Sequence, residues 1–333
     1  MSALASPIRA IRWNGGTIQE PGLYEALPIE VYHGDPDLCP GPSISSSGLR
    51  TIWSDGPAAF WVRSPLNPNR IEEEEKDHLN LGQAAHHLIL SEGGFHEKFA
   101  VRPEQWKDWR KSEAKDWRED MRRAGKVVLT PEDLEQIKGM AGVLSWQDPA
   151  NANTVPESGL ANSTLVRQGL LHGLVEHSLI WRDAETGIWL RARPDVLSLA
   201  SLGLVVDLKT CSTGRPEKAI FDHAYFQQGA LVAEGLKAVL GIEMTSFVLV
   251  FAQTSAPFRV SVHELDPYEM SGGEMVDPIA IGMRRNREAL RIFKRCLDTQ
   301  SWPAGDGDSH PERMPAWCAN QTMSVPDMME EVA

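Results

Sequence analysis

Cysteine is scarce in this 333-residue chain: only Cys39, Cys211, Cys296 and Cys318 occur. They are widely spaced and make no C-x-x-C pair, which leaves no disulfide framework and no sequence-local zinc or iron-sulfur site. Long apolar runs are also missing. Phe247 to Ala252 is among the longest, far short of the roughly 20 residues a membrane helix needs. No apolar run sits between a basic start and a small-residue cleavage site, so the expectation is a soluble, unexported protein with reduced thiols. Cations are in deficit, with 33 Lys and Arg against 46 Asp and Glu and a formal charge of −13. That balance excludes a protein that coats nucleic acid over its whole surface, though not one with a local basic groove. A glycine-rich loop ending in Gly-Lys-Ser/Thr is absent, as is G-x-S-x-G, so P-loop chemistry and an activated serine lack their usual signals.

What is present suffices for a large core, since 42% of residues are hydrophobic and the length allows one large domain or two smaller ones. Residues 1–27 read as an arm or early edge element. The serine cluster in "PSISSSGLRTIWSDGPAAFWV" predicts a capped helix, broken at Gly56-Pro57. "SPLNPN" and the Glu72 to Glu75 run read as a polar loop, and residues 79–90 as a helix with Leu81, Ala85, Leu88 and Ile89 facing a core. Residues 104–124 read as an exposed helix. "TPEDLEQIKGMAGVL" predicts a helix with Thr130 as N-cap and Pro131 in its first turn.

After "DPANANTVPESG" the character changes to strands: about 164–170, "LVEHSLIW", "WLRARPDVLSL" and "LGLVVDLKT", with Asp183 to Gly187 as a turn. A helix over about 216–240, strands "TSFVLVFAQ" and "FRVSVHEL", and a helix over about 277–297 follow. Helices around a central run of strands predict an α/β or α+β core.

Two basic features stand out against the acidic background. Arg284, Arg287, Arg291 and Arg295 recur at helical spacing, and the stretch from Arg102 to Lys126 holds nine basic residues against six acidic ones. A solvated helix face explains either one if it is taken alone.

The chemistry lies elsewhere. Asp195 sits on one apolar strand and Asp207 near the end of the next, with Lys209 two residues beyond. If the strands pair through Ser198 to Gly203, both carboxylates reach one point, where they repel unless a cation lies between them. Oxygen ligands of this kind favour Mg2+ or Mn2+. Strand alternation puts Lys209 on the same face as Asp207, where an ammonium can orient a water or meet charge developing on a phosphate. An Asp-x-Lys triplet alone is a weak signal.

The wider pattern resembles a family. Pro194-Asp195 with Asp207-Leu208-Lys209 is similar to the PD-(D/E)xK nuclease signature, and the surroundings resemble its branch of phage and prophage RecE-type exonucleases, also called exonuclease VIII. "LGQAAHHLIL" resembles the family's Gly-x-x-x-His helix through Gly82 and His86. "VEHSLIWRDAETGIWLRARPDVL" is similar to its Glu strand and Arg-Pro-Asp strand, and "VVDLKT" to its Asp-x-Lys-Thr strand. "HAYFQQGALVAEG" resembles its glutamine helix, and "SWP" with "MPAW" its C-terminal closure; the likeness runs from about Ile29 to Trp317.

The resemblance implies a central mixed sheet flanked by helices over 28–318, with helical N-terminal additions (helical part about 44–145, catalytic sheet about 160–300) and an acidic tail over 319–333. It implies His86, Asp195, Asp207 and the Leu208 carbonyl as ligands of two Mg2+ ions, which Mn2+ could replace. Glu176 would be an outer or second-metal ligand, Lys209 would position water, and Gln228 would lie near the scissile phosphate. His87 is the rival of His86. The tyrosine that relatives carry four residues after the glutamine is here Val232, or Leu231 if Gln227 is the match, with Tyr225 one turn earlier as a substitute. Ser47 resembles a serine contacting a terminal 5′-phosphate, with helix capping as its alternative, and Arg193, Tyr225, Arg284, Arg287 and Arg291 complete the expected DNA-contacting set.

The implied activity is 5′-to-3′ digestion of one strand at duplex DNA ends, releasing mononucleotides and leaving a 3′ strand for a RecT-type annealing protein. It also implies a ring-shaped homo-oligomer, encoded by a phage or prophage and working in a bacterial cytoplasm. Alternatives are a repair nuclease of the same superfamily, a silent DNA-binding or scaffold protein, and a carboxylate-metal phosphatase.

Overall fold

The computed structural model describes residues 8–71, 77–90, 93–144, 170–198, 201–212, 216–270 and 273–305. In chain order the strands are β1 (Ile11–Arg12), β2 (Gly22–Glu25), β3 (Ser43–Ser45), β4 (Phe99–Val101), β5 (Val127–Leu129), β6 (Gly173–Val175), β7 (Ser178–Arg182), β8 (Trp189–Ala192), β9 (Val196–Ser198), β10 (Leu204–Cys211), β11 (Ser246–Gln253), β12 (Val260–Glu264), β13 (Tyr268–Glu269) and β14 (Met275–Val276). The helices are α1 (Ile29–Gly34), α2 (Ser46–Ser54), α3 (Pro57–Arg63), α4 (Asp77–Ile89), α5 (Phe95–Lys98), α6 (Ser112–Arg123), α7 (Pro131–Leu144), α8 (Glu217–Asp222), α9 (Tyr225–Leu240) and α10 (Pro278–Thr299). The expected α/β architecture with a mixed sheet is therefore present. Among the described residues no helix is long and apolar enough to cross a membrane.

Two five-stranded sheets carry the fold, ordered β1-β2-β7-β8-β3 and β12-β11-β10-β9-β6. In the second, β10 and β11 run parallel while the remaining neighbours are antiparallel. The β11 strand is almost wholly apolar and buried, and β10 is buried from Val205 to Leu208, as a parallel pair covered on both faces should be. One cluster, with Ala84, Ala85, Ile137, Met140, Val206, Leu208 and Val250, packs α4 and α7 onto one face of this sheet. Another, with Val205, Phe226, Leu231, Leu249, Phe251 and Phe293, packs α9 and α10 onto the other.

The two sheets share a hairpin. Leu179 pairs with Ala192 in β7–β8, and Val175 with Val196 in β6–β9, so the register passes from one sheet to the other without a slip. Between the paired segments Glu176 adopts φ 54°, a left-handed conformation costing a non-glycine residue on the order of 1 kcal/mol. That kink and Arg193-Pro194 opposite it interrupt both strands and turn the ribbon from one sheet into the other. "LVEHSLIW" and "WLRARPDVLSL" are thus two strands each, where the alternation alone predicts one.

Other differences have local causes. The helix expected over 216–240 is split at Ala224, whose φ of 48° separates α8 from α9. Of residues 1–27, β1 is a sheet edge, but β2 lies inside the sheet against β7, because its Leu23 is needed in the core. The Thr130 cap forms as expected: Thr130 Oγ1 accepts from the Asp133 amide at 3.1 Å, and Asp133 Oδ2 accepts from the Thr130 amide at 2.8 Å. The strand expected at about 164–170, apart from Leu170, the Glu72 to Glu75 run and the 319–333 tail lie outside the described residues.

Candidate active site

The kinked hairpin sets out the acidic residues. The Glu176 amide donates to the Asp195 carbonyl at 3.0 Å, which places these two residues opposite each other. Val206 pairs with Val196 in β9–β10, and one further step of that register sets Asp207 opposite Asp195. Glu176, Asp195 and Asp207 therefore form a row across three adjacent strands, so their side chains share one face. Lys209 is two residues along β10 on the same face. Strand pairing through Ser198 to Gly203, expected from the spacing, is what brings the two aspartates together.

His86 reaches this row from α4. Its Nδ1 lies 3.5 Å from Asp195 Oδ2, and ligand atoms of His86, Glu176 and Asp195 all lie within 4.8 Å of one another. His87 turns away: it is buried against Phe95 and Phe99, with its Nε2 2.6 Å from the Gly93 carbonyl. The helix phase thus separates two adjacent histidines into one facing the carboxylates and one packed in the core.

Each carboxylate is held. The Leu208 amide donates to Asp195 Oδ2 at 2.6 Å. Because the N–H and C=O of a strand residue leave on the same side, the Leu208 carbonyl is directed toward the same gap. Asp207 has a fully buried side chain; it accepts from Gln228 Nε2 at 2.9 Å and is ion-paired with Lys209. The adjacent Gln227 instead donates to Asn286 Oδ1 at 3.1 Å within the core, so Gln228 is the glutamine of the site. Arg193 Nε donates to Ser178 Oγ at 2.9 Å and lies 3.7 Å from Glu176 Oε2.

Electrostatics follow from burial and neighbours. Burial first, and the Asp207 charge second, hold the Asp195 carboxyl well above the usual carboxylate range. Burial works against the Lys209 ammonium, but Asp207 and Asp195 outweigh it and raise its pKa, so the lysine stays charged. The Tyr225 ring lies 5.0 Å from Lys209 Nζ and covers it. Val232, in the position of the relatives' tyrosine, is buried and lines the cavity wall; Tyr225 is the tyrosine beside the lysine.

A cavity of about 200 Å3 lies between this row and the start of α2, bordered by Ser45, Ser46, Ser47, Arg50, Glu176 and Arg193. The expected serine cap is not made. Ser45 is the N-cap residue without a side-chain bond to the helix, and its Oγ lies 3.0 Å from Ser47 Oγ. The first turn of α2 therefore borders the cavity without a serine side-chain cap on its amides, a favourable setting for a phosphate.

Arg50 was not among the residues singled out from sequence. Its guanidinium donates to the His223 carbonyl at 2.7 Å and lies 5.9 Å from the Tyr225 ring centre. The signal was available, since Arg50 follows Ser47 by three residues and shares its helix face. His33, also on the cavity, has its pKa pushed down to about 4 by burial, then by Arg191 and Arg193; nothing in its spacing marks it.

The expected arginine set divides. Arg193 and Tyr225 are at the site, whereas Arg284, Arg287 and Arg291 line a separate groove between α9 and α10. There Arg287 donates to Asp183 at 2.7 Å and Arg291 to Glu185 at 2.7 Å, so carboxylates of the β7–β8 turn hold both.

The residues present suit a divalent cation: His86, Glu176 and Asp195 bring one ligand atom each within 4.8 Å of one another, and the buried Asp195 carboxylate carries a charge that is disfavoured until a cation offsets it. PD-(D/E)xK-like enzymes typically use divalent metals.

Among curated proteins none matches the chain. Solved structures similar to it include a protein described as a "putative exonuclease" from Eubacterium rectale, at 11% identity and a TM-score of 0.47, covering 85% of this chain and 93% of that one. Another is SSO0001, at 12% identity and a TM-score of 0.23, covering 65% and 85%. The family model of DUF3799, described as a PDDEXK-like domain of unknown function, matches residues 66–313. That span includes His86, the kinked hairpin, the Asp-x-Lys strand and the glutamine helix, and the chain belongs to this PDDEXK-like family.

Proposed function

We propose that the protein is a metal-dependent exodeoxyribonuclease of the RecE type, digesting duplex DNA from its 5′ ends and leaving 3′ single strands. The observation that carries the nuclease reading is the row of Glu176, Asp195 and Asp207 across three strands, with His86 against Asp195 and Glu176 and with Lys209 beside Asp207. His86, Glu176, Asp195, Asp207 and the Leu208 carbonyl would hold Mg2+, or Mn2+ in its place, and bound ions would supply activation of a water and charge neutralisation at the leaving 3′-oxygen.

The chain's own residues do the remainder. Gln228 and the Leu208 amide fix the orientation of the two aspartates. The charged Lys209 orients the water and meets negative charge as it grows on the phosphate. Arg50, Ser47 and the first turn of α2 face the same cavity from the opposite side and receive a DNA phosphate. Attack from a 5′ end, assembly as a ring around duplex DNA and transfer of the 3′ strand to a RecT-type annealing protein rest on the resemblance of the sequence motifs.

One assay set tests the proposal. Wild type should digest linear but not closed circular duplex when Mg2+ is added, and 5′-terminal label should be released first. Asp207→Asn and Lys209→Ala should lose this activity while keeping the circular-dichroism spectrum of wild type. Wild-type digestion by either variant overturns the site, and equal attack on circular DNA overturns the exonuclease reading.

A further inference from the structure

The Arg102 to Lys126 stretch contains three tryptophans that the site does not use. Trp106 and Trp109 precede α6, and Trp117 lies within it. All three are half-buried, and none is part of, or packed against, the three hydrophobic clusters of the described residues. They meet one another instead: Trp109 and Trp117 are near-parallel at 14° with centroids 6.4 Å apart, and Trp106 lies 5.9 Å from Trp117. Arg102 and Arg118 place their guanidiniums 5.3 and 5.1 Å from the Trp109 ring. The frame is firm, because the Arg102 amide donates to the Leu129 carbonyl at 2.8 Å and its guanidinium to Glu132 at 3.3 Å.

Indole is among the most costly surfaces to leave in water, and a packing role would bury it in the adjacent core. A ladder of indoles and guanidiniums outside the core, with nine basic residues against six acidic ones in a chain of charge −13, has the chemistry of a base-stacking platform. Bases offer their faces to such a platform only when unpaired, which favours a single strand over a duplex. Both α6 and α4 pack on β5, so the ladder belongs to the same lobe as the helix carrying His86.

We propose that Trp106, Trp109 and Trp117, with the basic residues around them, form a binding surface for single-stranded DNA. Together with the nuclease reading, on which its role rests, this surface would hold the 3′ strand left by digestion.

Binding is measured by anisotropy of a labelled thymidine oligonucleotide on the full chain in EDTA, which separates binding from cleavage. Wild type should bind, and binding should weaken as salt rises. Trp106→Ala with Trp117→Ala should lose affinity by on the order of tenfold or more, while short linear duplexes are digested at the wild-type rate. No binding by wild type, or unchanged affinity in a double variant that melts like wild type, overturns the inference. If that variant does not fold, Lys111→Glu with Lys115→Glu, both exposed, decides: the salt dependence should fall, and an unchanged one overturns the inference. Failure of the nuclease reading would appear separately, as a wild type that binds the oligonucleotide but digests nothing.

Discussion

In the absence of an ion the acidic row opposes folding, and this gives a stability measurement that does not depend on catalysis. Burial and the neighbouring Asp207 raise the Asp195 pKa above its unfolded value. For an acid shifted in this direction the deprotonated form is disfavoured by the fold, so stability is full below the ordinary carboxylate pKa and is lost as pH rises from there through the raised pKa of the folded state. A cation bound between the carboxylates reverses it. At a free Mg2+ concentration a hundred times the dissociation constant, binding adds about 2.7 kcal/mol. An unfolding entropy of about 2.1 cal/mol/K per residue over 333 residues comes to about 0.7 kcal/mol/K, so the melting temperature should rise by about 4 °C. Scanning calorimetry of wild type and Asp195→Asn, each in EDTA and in Mg2+, reads this directly. The variant should melt above wild type in EDTA and show little response to Mg2+. A wild type with the same midpoint in both buffers would refute the argument that these residues hold a cation.

Three further outcomes follow from the packing around the site. Gln228→Leu, which removes the only side-chain amide donor to Asp207 seen among the described residues, should lower kcat on the order of 10- to 100-fold and, because it leaves a buried carboxylate oxygen short of a donor, cost about 1–3 kcal/mol in urea unfolding. Gly282→Ala would set a Cβ 2.5 Å from the Phe226 carbonyl oxygen, so α9 and α10 must part, and a loss of about 1–3 kcal/mol is expected in urea unfolding. Arg287→Ala should cost about 2 kcal/mol by the same measurement, because it strips a charged hydrogen bond from the buried Asp183. Burial alone would raise the Asp183 pKa, but its bonds from Thr186 and Arg287 lower it overall. That stability is present above the usual carboxylate range and disappears as pH falls through it, and Arg287→Ala should flatten this acid limb.

The parts of the site legible in sequence are those governed by short-range periodicity. Asp195, Asp207 and Lys209 lie on strands whose pairing and alternation are set by their own apolar residues, so their convergence follows from spacing. His86, Glu176 and Gln228 needed the family resemblance, because α4, the hairpin and α9 meet only through tertiary packing. His86 and His87 are adjacent, and only the rotation of α4 against the sheet distinguishes them. The same limit explains Arg284, Arg287 and Arg291. Their helical spacing marks a common face of α10, but not that Asp183 and Glu185 lie across from it. The split at Ala224 and the break at Glu176 were illegible for a different reason, since both residues adopt positive φ without being glycine. At the hairpin only Pro194, on the opposite strand, advertised the bend.

The unbroken register of the hairpin shared by the two sheets restricts how its length can vary. Adding a single residue between 173 and 182 or between 189 and 198 would reverse the facing of every residue beyond it in one sheet while leaving the other unchanged. Glu176 would then no longer stand beside Asp195. Length change leaves both registers intact only at the ends of the ribbon, at the 183–187 turn or the 199–203 connection, so those are the places where relatives of this chain should differ in length.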